Sequence, residues 1–261
     1  MNRILRVLSI AFLFGVLLYG YAEETPADRE ALTHIHWSRG GYLVPETYEI
    51  CLREGEYCLL YNEEAPRRID RSYVEEIYAV IEAYDLLSWD GFSGSDPDVL
   101  DGEGFSLSFT FSNGTSVHAS GENCFPKEYH TVMGCLDGIM EKERMALIAG
   151  TYVYEGDGFG GDFAIMLCSD GTYTFYEGPL SSYMGGGEWH VYTDELFLFE
   201  KNGFELRNIF VYKDGAILFD EINSDNFPYI KVPNMGKFIK SDTDKPATEK
   251  GSNDAVPGGL E

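Results

Sequence analysis

The chain has 261 residues, of which 44% are hydrophobic and 24% charged, which excludes an intrinsically disordered protein and allows two domains. Its 44 acidic residues outnumber 19 Lys and Arg, and the resulting net charge of −25 opposes binding to nucleic acid and to anionic membrane surfaces. We therefore expect no nucleic-acid partner, while the charge itself does not select among other partners.

The N-terminus has the pattern of a secretory signal peptide. Arg3 and Arg6 give a positive start to a mostly apolar run that ends at Leu18, and Gly20-Tyr21-Ala22 supplies the small residues of a cleavage site. We assign residues 1–22 to this signal. The apolar run is shorter than the roughly 20 residues that span a bilayer. We therefore expect a secreted or extracytoplasmic protein with no transmembrane domain after cleavage; the alternative is retention by an uncleaved N-terminal segment.

Residues 41–145 have the pattern of an α+β domain, preceded by a lead-in at 23–40. Two strands flank a turn at Glu54-Gly55, and a capping box at Ser72-x-x-Glu75 opens a helix. Two more strands flank Asn113-Gly114, and a second apolar stripe indicates another helix. The order β-β-α-β-β-α predicts an antiparallel sheet with both helices on one face.

The turn at Glu54-Gly55 also sets a register for two cysteines. It would place Arg53 opposite Glu56 and Cys51 opposite Cys58. Directly opposed strand residues lie within disulfide reach, and an exported protein permits the bond. Cys51 and Cys58 are therefore a candidate disulfide, which a register slip of one residue would abolish.

Residues 146–240 have the pattern of an all-β domain, and residues 241–261 that of a disordered tail. Turn residues at Asp170-Gly171 and Asp214-Gly215 separate short strands rich in aromatic side chains. Eight strands are predicted, near 151–155, 162–168, 172–177, 185–192, 195–200, 205–213, 216–221 and 227–232. Such an antiparallel meander closes into a small barrel or a flattened sandwich, with aromatic side chains filling its interior.

Several stretches resemble domains of exported bacterial proteins. "YEGDGFGGDF", "DGTYTFYEGPLSSYMGGGEW" and "FPYIKV" are similar to a lipocalin-like β-barrel domain that recurs in exported and membrane-tethered proteins of Gram-positive anaerobes. "WDGF", "DVLDGEGFSLSFTFSNGT" and "FPKEY" resemble a domain of uncharacterised exported proteins from the same bacteria. The resemblance covers roughly residues 40–240, implies a small barrel at the cell envelope, and brings no catalytic residue. This chain lacks the lipobox cysteine that is common among those proteins.

A metal site is one alternative that the sequence offers. His34 and His36 would project from one face of a strand, a spacing that can hold a metal. Asp96, Asp98 and Asp101 would add hard oxygen ligands from an acidic loop. These residues would support a metal-dependent hydrolase. The simpler interpretation is surface histidines and a turn-rich loop in which Asp side chains bond their own backbone.

The favoured hypothesis is a non-enzymatic exported module of the cell envelope with a recognition or regulatory role, and a third alternative is a purely structural envelope protein. No cofactor is predicted. A peptide, a glycan, a lipid fragment or an envelope protein would suit a rim of aromatic faces and backbone donors. The predicted rim residues are Gly160, Gly161, Tyr176, Tyr183, Gly185 and Trp189.

Overall fold

The computed structural model describes residues 30–41, 45–62, 64–96, 98–99, 102–156, 163–178, 183–202 and 204–241. The predicted signal peptide and, apart from Ser241, the predicted tail lie outside these residues. The described chain divides into two compact units. The first contains the residues up to Arg68 and those of Asp85–Pro126; the second contains Ile69–Tyr84 and the residues from Lys127 onward.

The first unit is a seven-stranded sheet with the strand order β4-β3-β2-β1-β6-β7-β5. Its strands are β1 (Leu32–Gly40), β2 (Glu46–Arg53), β3 (Glu56–Tyr61), β4 (Arg67–Arg68), β5 (Ser93–Ser95), β6 (Gly104–Phe111) and β7 (Ser116–Glu122). All neighbours are antiparallel except β5 and β7. The central strand β1 comes from the segment interpreted as a lead-in; buried Ile35 and Trp37 alternate there with polar residues, as in a sheet with one apolar face.

The first hairpin has the predicted register. Glu54 and Gly55 both have positive φ, of 52° and 86°, which is the conformation of a two-residue turn matched to strand twist. Arg53 consequently lies opposite Glu56, and Cys51 opposite Cys58. Both cysteines are free thiols in the structure. The disulfide therefore stays a prediction, and peptide mapping of the oxidised protein without reductant tests it.

The second unit contains two α-helices, α1 (Arg71–Ala83) and α2 (Tyr129–Ile148), while a 3-10 helix, Leu86–Trp89, belongs to the first unit. The N-cap of helix α1 is Asp70, two residues before the predicted cap at Ser72, because the Asp70 carboxylate accepts the Ser72 backbone N–H at 2.8 Å. Lys142 of α2 pairs with Glu76 of α1 at 2.7 Å. Neither these helices nor any other in the described chain combines the length and apolar character needed to cross a membrane.

The remainder of the second unit is a closed barrel of eight antiparallel strands. They are β8 (Gly150–Tyr154), β9 (Ala164–Leu167), β10 (Thr172–Tyr176), β11 (Met184–Tyr192), β12 (Glu195–Asn202), β13 (Arg207–Lys213), β14 (Ala216–Phe219) and β15 (Lys237–Lys240). Each strand pairs with its neighbour in sequence, and β15 closes the barrel on β8 through Val153 opposite Ile239. The predicted fold class, an α+β architecture with an N-terminal antiparallel sheet and a C-terminal eight-stranded barrel, is confirmed.

The last strand lies later in the chain than the sequence pattern predicts. Residues 227–232 do not form a strand, and β15 takes their place in the barrel. Pro228 removes a backbone donor from this segment and Pro233 follows it directly, so the segment lacks part of what a ladder of hydrogen bonds needs. Its apolar side chains are nevertheless buried in the barrel core: Phe227, Ile230 and Val232.

The barrel is filled by side chains and has two different ends. At one end the connections are tight turns, and Met145 and Ile148 of α2 join the barrel core there. At the opposite end, which we call the mouth, the connections after β8, β10, β12 and β14 are longer. Among the described residues, the mouth is formed by 177–178, 183–185, 200–202, 204–206 and 220–236.

Candidate functional site

Two buried carboxylates lie at the mouth. Glu177 is 0% exposed and Glu200 is 4% exposed. Their positions follow from strand alternation, because Glu177 continues the inward set of Tyr173 and Phe175, and Glu200 continues that of β12. Each acid therefore lies at an inward-facing position, and the other inward-facing residues of its strand belong to the barrel core.

Only one oxygen of each carboxylate has a partner among the described residues. Glu177 Oε2 accepts the backbone N–H of Tyr229 at 2.8 Å, and Glu200 Oε1 accepts the Tyr183 hydroxyl. Glu177 Oε1 and Glu200 Oε2 are buried without a hydrogen-bond partner in this part of the chain, as are the Tyr173 hydroxyl and Asn208 Oδ1. Buried polar atoms are normally satisfied, so four unpartnered oxygens at one end of a barrel are a functional signal.

The mouth is electrostatically negative. Burial raises the pKa of Glu177, the backbone N–H groups of Tyr229 and Ile230 oppose this, and the Glu200 carboxylate raises the pKa further. Burial and the hydrogen bond to Glu200 raise the pKa of Tyr183 to about 12, so its hydroxyl remains a donor at neutral pH. Within the described residues, no ion pair reaches Glu177 or Glu200, and the nearby Lys201 pairs with Glu188 instead.

Aromatic rings surround these carboxylates. The Tyr183 ring centroid lies 5.7 Å from that of Phe175 inside the barrel, 5.3 Å from that of Phe204 and 5.8 Å from that of Tyr229. Phe204 is 56% exposed and Tyr229 54% exposed. Met184 beside them is also exposed. The mouth thus combines an exposed aromatic edge with a buried acidic floor.

The structure brings together part of the predicted rim. Tyr183 and Gly185 lie at the mouth, whereas Tyr176 lies on the outward face of β10, opposite the exposed Met184. Trp189 is six residues further along the chain from Tyr183, fully buried, and its indole N–H donates to the Cys168 carbonyl at 2.8 Å. Trp189 therefore belongs to the barrel core and not to the rim. Gly160 and Gly161 lie outside the described residues.

Gly185 makes room for the acidic floor. A Cβ at this position would lie 2.1 Å from Phe175 Cε1 and 2.7 Å from Glu200 Oε1. We expect Gly185→Ala to lower the free energy of unfolding by about 1–3 kcal/mol, because a methyl group here overpacks the site. Gly138→Ala is the matched control, since its Cβ in α2 meets nothing within 4 Å and should stabilise the helix by roughly 0.5–1 kcal/mol. Urea denaturation measures both; equal effects would contradict the steric role of Gly185.

The predicted metal ligands are not assembled. His34 and His36 lie on one face of β1, where His34 Nε2 is 3.2 Å from Glu49 Oε1, and burial lowers the pKa of His36. Asp96 follows β5, three strands away in the sheet, and its carboxylate accepts the backbone N–H of Asp98 at 3.1 Å. Asp101 is outside the described residues. Across the described ranges, no three His, Cys, Asp or Glu side chains are placed to hold one metal ion.

The first unit also carries an open concavity beside the ends of β1, β5, β6 and β7. It has a volume of about 570 Å³ and is lined mainly by serine and glycine residues. Its hydroxyl groups bond one another, as Ser38 Oγ and Ser106 Oγ do at 2.9 Å. None of its lining side chains has a buried polar atom without a partner, so the mouth is the stronger candidate.

Sequence reasoning did not single out Glu177 and Glu200. Acidic residues occur throughout so acidic a chain, and a pair of them carries little information by itself. The sequence signal that distinguishes these two acids is strand alternation, because each lies two residues after the second of two alternating core positions on a predicted strand. An acid at a position of a strand where alternation predicts a buried apolar residue indicates either the end of the strand or a functional group inside the barrel.

Comparisons with protein-family models, with curated proteins and with solved structures found no match for this chain.

Proposed function

We propose that this protein is an exported, non-enzymatic recognition module of the cell envelope that binds its ligand at the mouth of the barrel. The observation that carries the proposal is the set of buried, unpartnered oxygens on Glu177 and Glu200 beneath exposed aromatic rings. Binding sites combine apolar walls with a few polar groups that fix orientation, and the mouth has both. The signal-peptide pattern predicted at residues 1–22 supports a location outside the cytoplasm.

A filled barrel restricts what the mouth can take. Phe163, Phe175 and Phe227 pack edge to face in the interior with ring centroids 4.8–6.1 Å apart. The interior therefore has no room for a long lipid chain as these side chains are placed. The ligand would insert a small group at the mouth and leave its remainder outside, as a terminal residue of a peptide or a glycan would.

Ligand screening by protein-observed NMR tests the proposal. The full mature chain is titrated with tri-alanine, N-acetylglucosamine, decanoate and a charge-balanced set of aromatic fragments. We expect at least one member to shift the resonances of Phe204 and Tyr229. If every member leaves the mouth resonances unchanged, the proposed function is wrong.

Replacing Tyr183 with alanine tests the site. It removes the ring between Phe204 and Tyr229 and the hydroxyl that donates to Glu200, so we expect about a tenfold or greater loss of affinity for any ligand found. Tyr192→Ala is the control, because Tyr192 is exposed at the far end of the same strand. Equal losses in both variants would dismiss the mouth as the site, and thermal melting shows whether each variant is folded.

A further inference from the structure

The acidic floor of the mouth lacks a positive charge among the described residues. Two buried carboxylates that interact electrostatically destabilise each other unless a proton or a cation compensates them. Of the basic side chains around the mouth, Lys201 pairs with Glu188, Lys231 with Glu221 and Lys237 with Glu155, while the exposed Arg207 donates to the Asn223 carbonyl. The compensating positive charge is therefore left to a proton or to a ligand.

Three of the four unpartnered oxygens accept hydrogen bonds only: Glu177 Oε1, Glu200 Oε2 and, on β13, Asn208 Oδ1. The fourth, the Tyr173 hydroxyl, can donate as well as accept. The Asn208 amide nitrogen is already used, since it donates to the Asp225 carbonyl at 2.8 Å. A protonated amine carries up to three N–H donors and no acceptor, which matches this set.

The aromatic edge suits the same kind of group. Tyr183 carries both features, because its ring packs at a tilt against those of Phe204 and Tyr229 while its hydroxyl donates to Glu200. The face of an aromatic ring attracts a cation within about 6 Å, and this attraction grows when the site is desolvated. Aromatic faces beside carboxylates therefore select for an organic cation.

Other ligand classes fit less well. An anion would be repelled by both carboxylates, and an uncharged sugar would leave their charges uncompensated. A divalent metal needs several charged oxygen ligands, whereas among the described residues no third His, Cys, Asp or Glu joins Glu177 and Glu200 in a group that could hold one metal ion. Resting on the proposed function of the mouth, we infer that the ligand presents a protonated amine to Glu177 and Glu200 and packs an apolar part against Phe204 and Tyr229.

Three aromatic probes of the same shape and different charge test this inference. Phenethylammonium, 2-phenylethanol and 3-phenylpropionate are titrated separately into the full mature chain at neutral pH, and calcium chloride forms a fourth series. We expect saturable shifts of the Tyr183, Phe204 and Tyr229 resonances with phenethylammonium. The uncharged probe should bind at least about tenfold more weakly, because it loses the charge-assisted hydrogen bonds.

Single substitutions then locate the charge. Glu177→Gln and Glu200→Gln should each weaken phenethylammonium binding by about tenfold or more. Each should also reduce the ratio of the affinity for phenethylammonium to the affinity for 2-phenylethanol. Glu195→Gln, an exposed acid at the other end of β12, should leave both unchanged. If a variant fails to fold, the comparison of the four probes on the unmodified protein still decides the inference.

The outcomes separate the inference from the proposed function. If 2-phenylethanol or 3-phenylpropionate binds the mouth as tightly as phenethylammonium, the mouth is a binding site and the amine inference is wrong. If calcium binds there and phenethylammonium does not, the inference is also wrong, and the site is a cation site of another class. If no ligand of any charge shifts the mouth resonances, the proposed function itself fails.

Discussion

Replacing Trp189 with alanine should lower the free energy of unfolding by about 3–5 kcal/mol, the largest single effect that we expect in the barrel. The indole is fully buried in the barrel core, so its removal leaves a large cavity. The Cys168 carbonyl also loses the indole N–H that it accepts at 2.8 Å, although it keeps the Gly171 backbone N–H that it accepts at 3.1 Å. The lost hydrogen bond adds to the cost of the cavity.

Urea denaturation followed by far-UV circular dichroism measures this effect. Tyr192→Ala, an exposed aromatic on the same strand, should change the free energy of unfolding by no more than about 0.5 kcal/mol. The sequence alone suggested that Trp189 belongs to a ligand rim. Loss of ligand binding with unchanged stability in Trp189→Ala would support that interpretation and contradict the buried role.

Glu177→Gln should raise the free energy of unfolding at pH 7 by about 1–3 kcal/mol, since it removes an uncompensated buried charge. The glutamine carbonyl can still accept the Tyr229 backbone N–H that Glu177 accepts at 2.8 Å. In the native protein the Glu200 carboxylate raises the pKa of Glu177. In the variant, the new amide group can donate a hydrogen bond toward that carboxylate instead.

The pH dependence of this gain has a definite sign. The pKa of Glu177 is raised by folding, so its contribution to stability is fully present below the unfolded pKa near 4.5 and is lost as pH rises through the native pKa. The gain from Glu177→Gln should therefore be small at pH 4 and grow toward neutral pH. Asp70, Asp170 and Glu188 have lowered pKa values and act in the opposite direction, but they are common to both proteins and cancel in the difference.

Urea midpoints from pH 4 to pH 8 give this difference curve. Glu195→Gln, an exposed substitution of the same kind, should run parallel to the unmodified protein throughout. A Glu177→Gln variant that is less stable at pH 7 would contradict the prediction. It would mean that the negative charge of the Glu177 carboxylate is compensated in the native protein more effectively than the described contacts account for.

Much of the fold could be predicted from the sequence, because strand alternation and turn residues specify the same arrangement as tertiary packing does. The alternation of Phe105, Leu107 and Phe109 sets the buried face of β6, and Glu54-Gly55 sets the register of the hairpin of β2 and β3. The strand predicted at 227–232 is wrong because its local pattern and its backbone disagree. Its apolar residues are buried, but Pro228 removes a backbone donor, and the strand forms instead at Lys237–Lys240.

The candidate site was less predictable. Tyr183 and Gly185 were identified from an aromatic and glycine-rich composition, which does not say which end of a barrel a residue occupies. Trp189 belongs to the same stretch and lies in the core instead. Glu177 and Glu200 depend on side-chain phase and on contacts between β10, β11 and β12, which only the folded barrel specifies.

The closing strand of the barrel has a consequence for folding kinetics and for aggregation. Seven of the eight strand pairings join neighbours in sequence, whereas β15 must return to β8 across the whole length of the barrel sequence. Such a distant pairing carries the largest loop-closure entropy, so we expect it to be the last to form. Until it forms, β8 and β15 each expose unpaired backbone groups, which are templates for association with other chains. The pairing of the four residues Lys237–Lys240 with β8 therefore removes the last open edges of a barrel of about ninety residues.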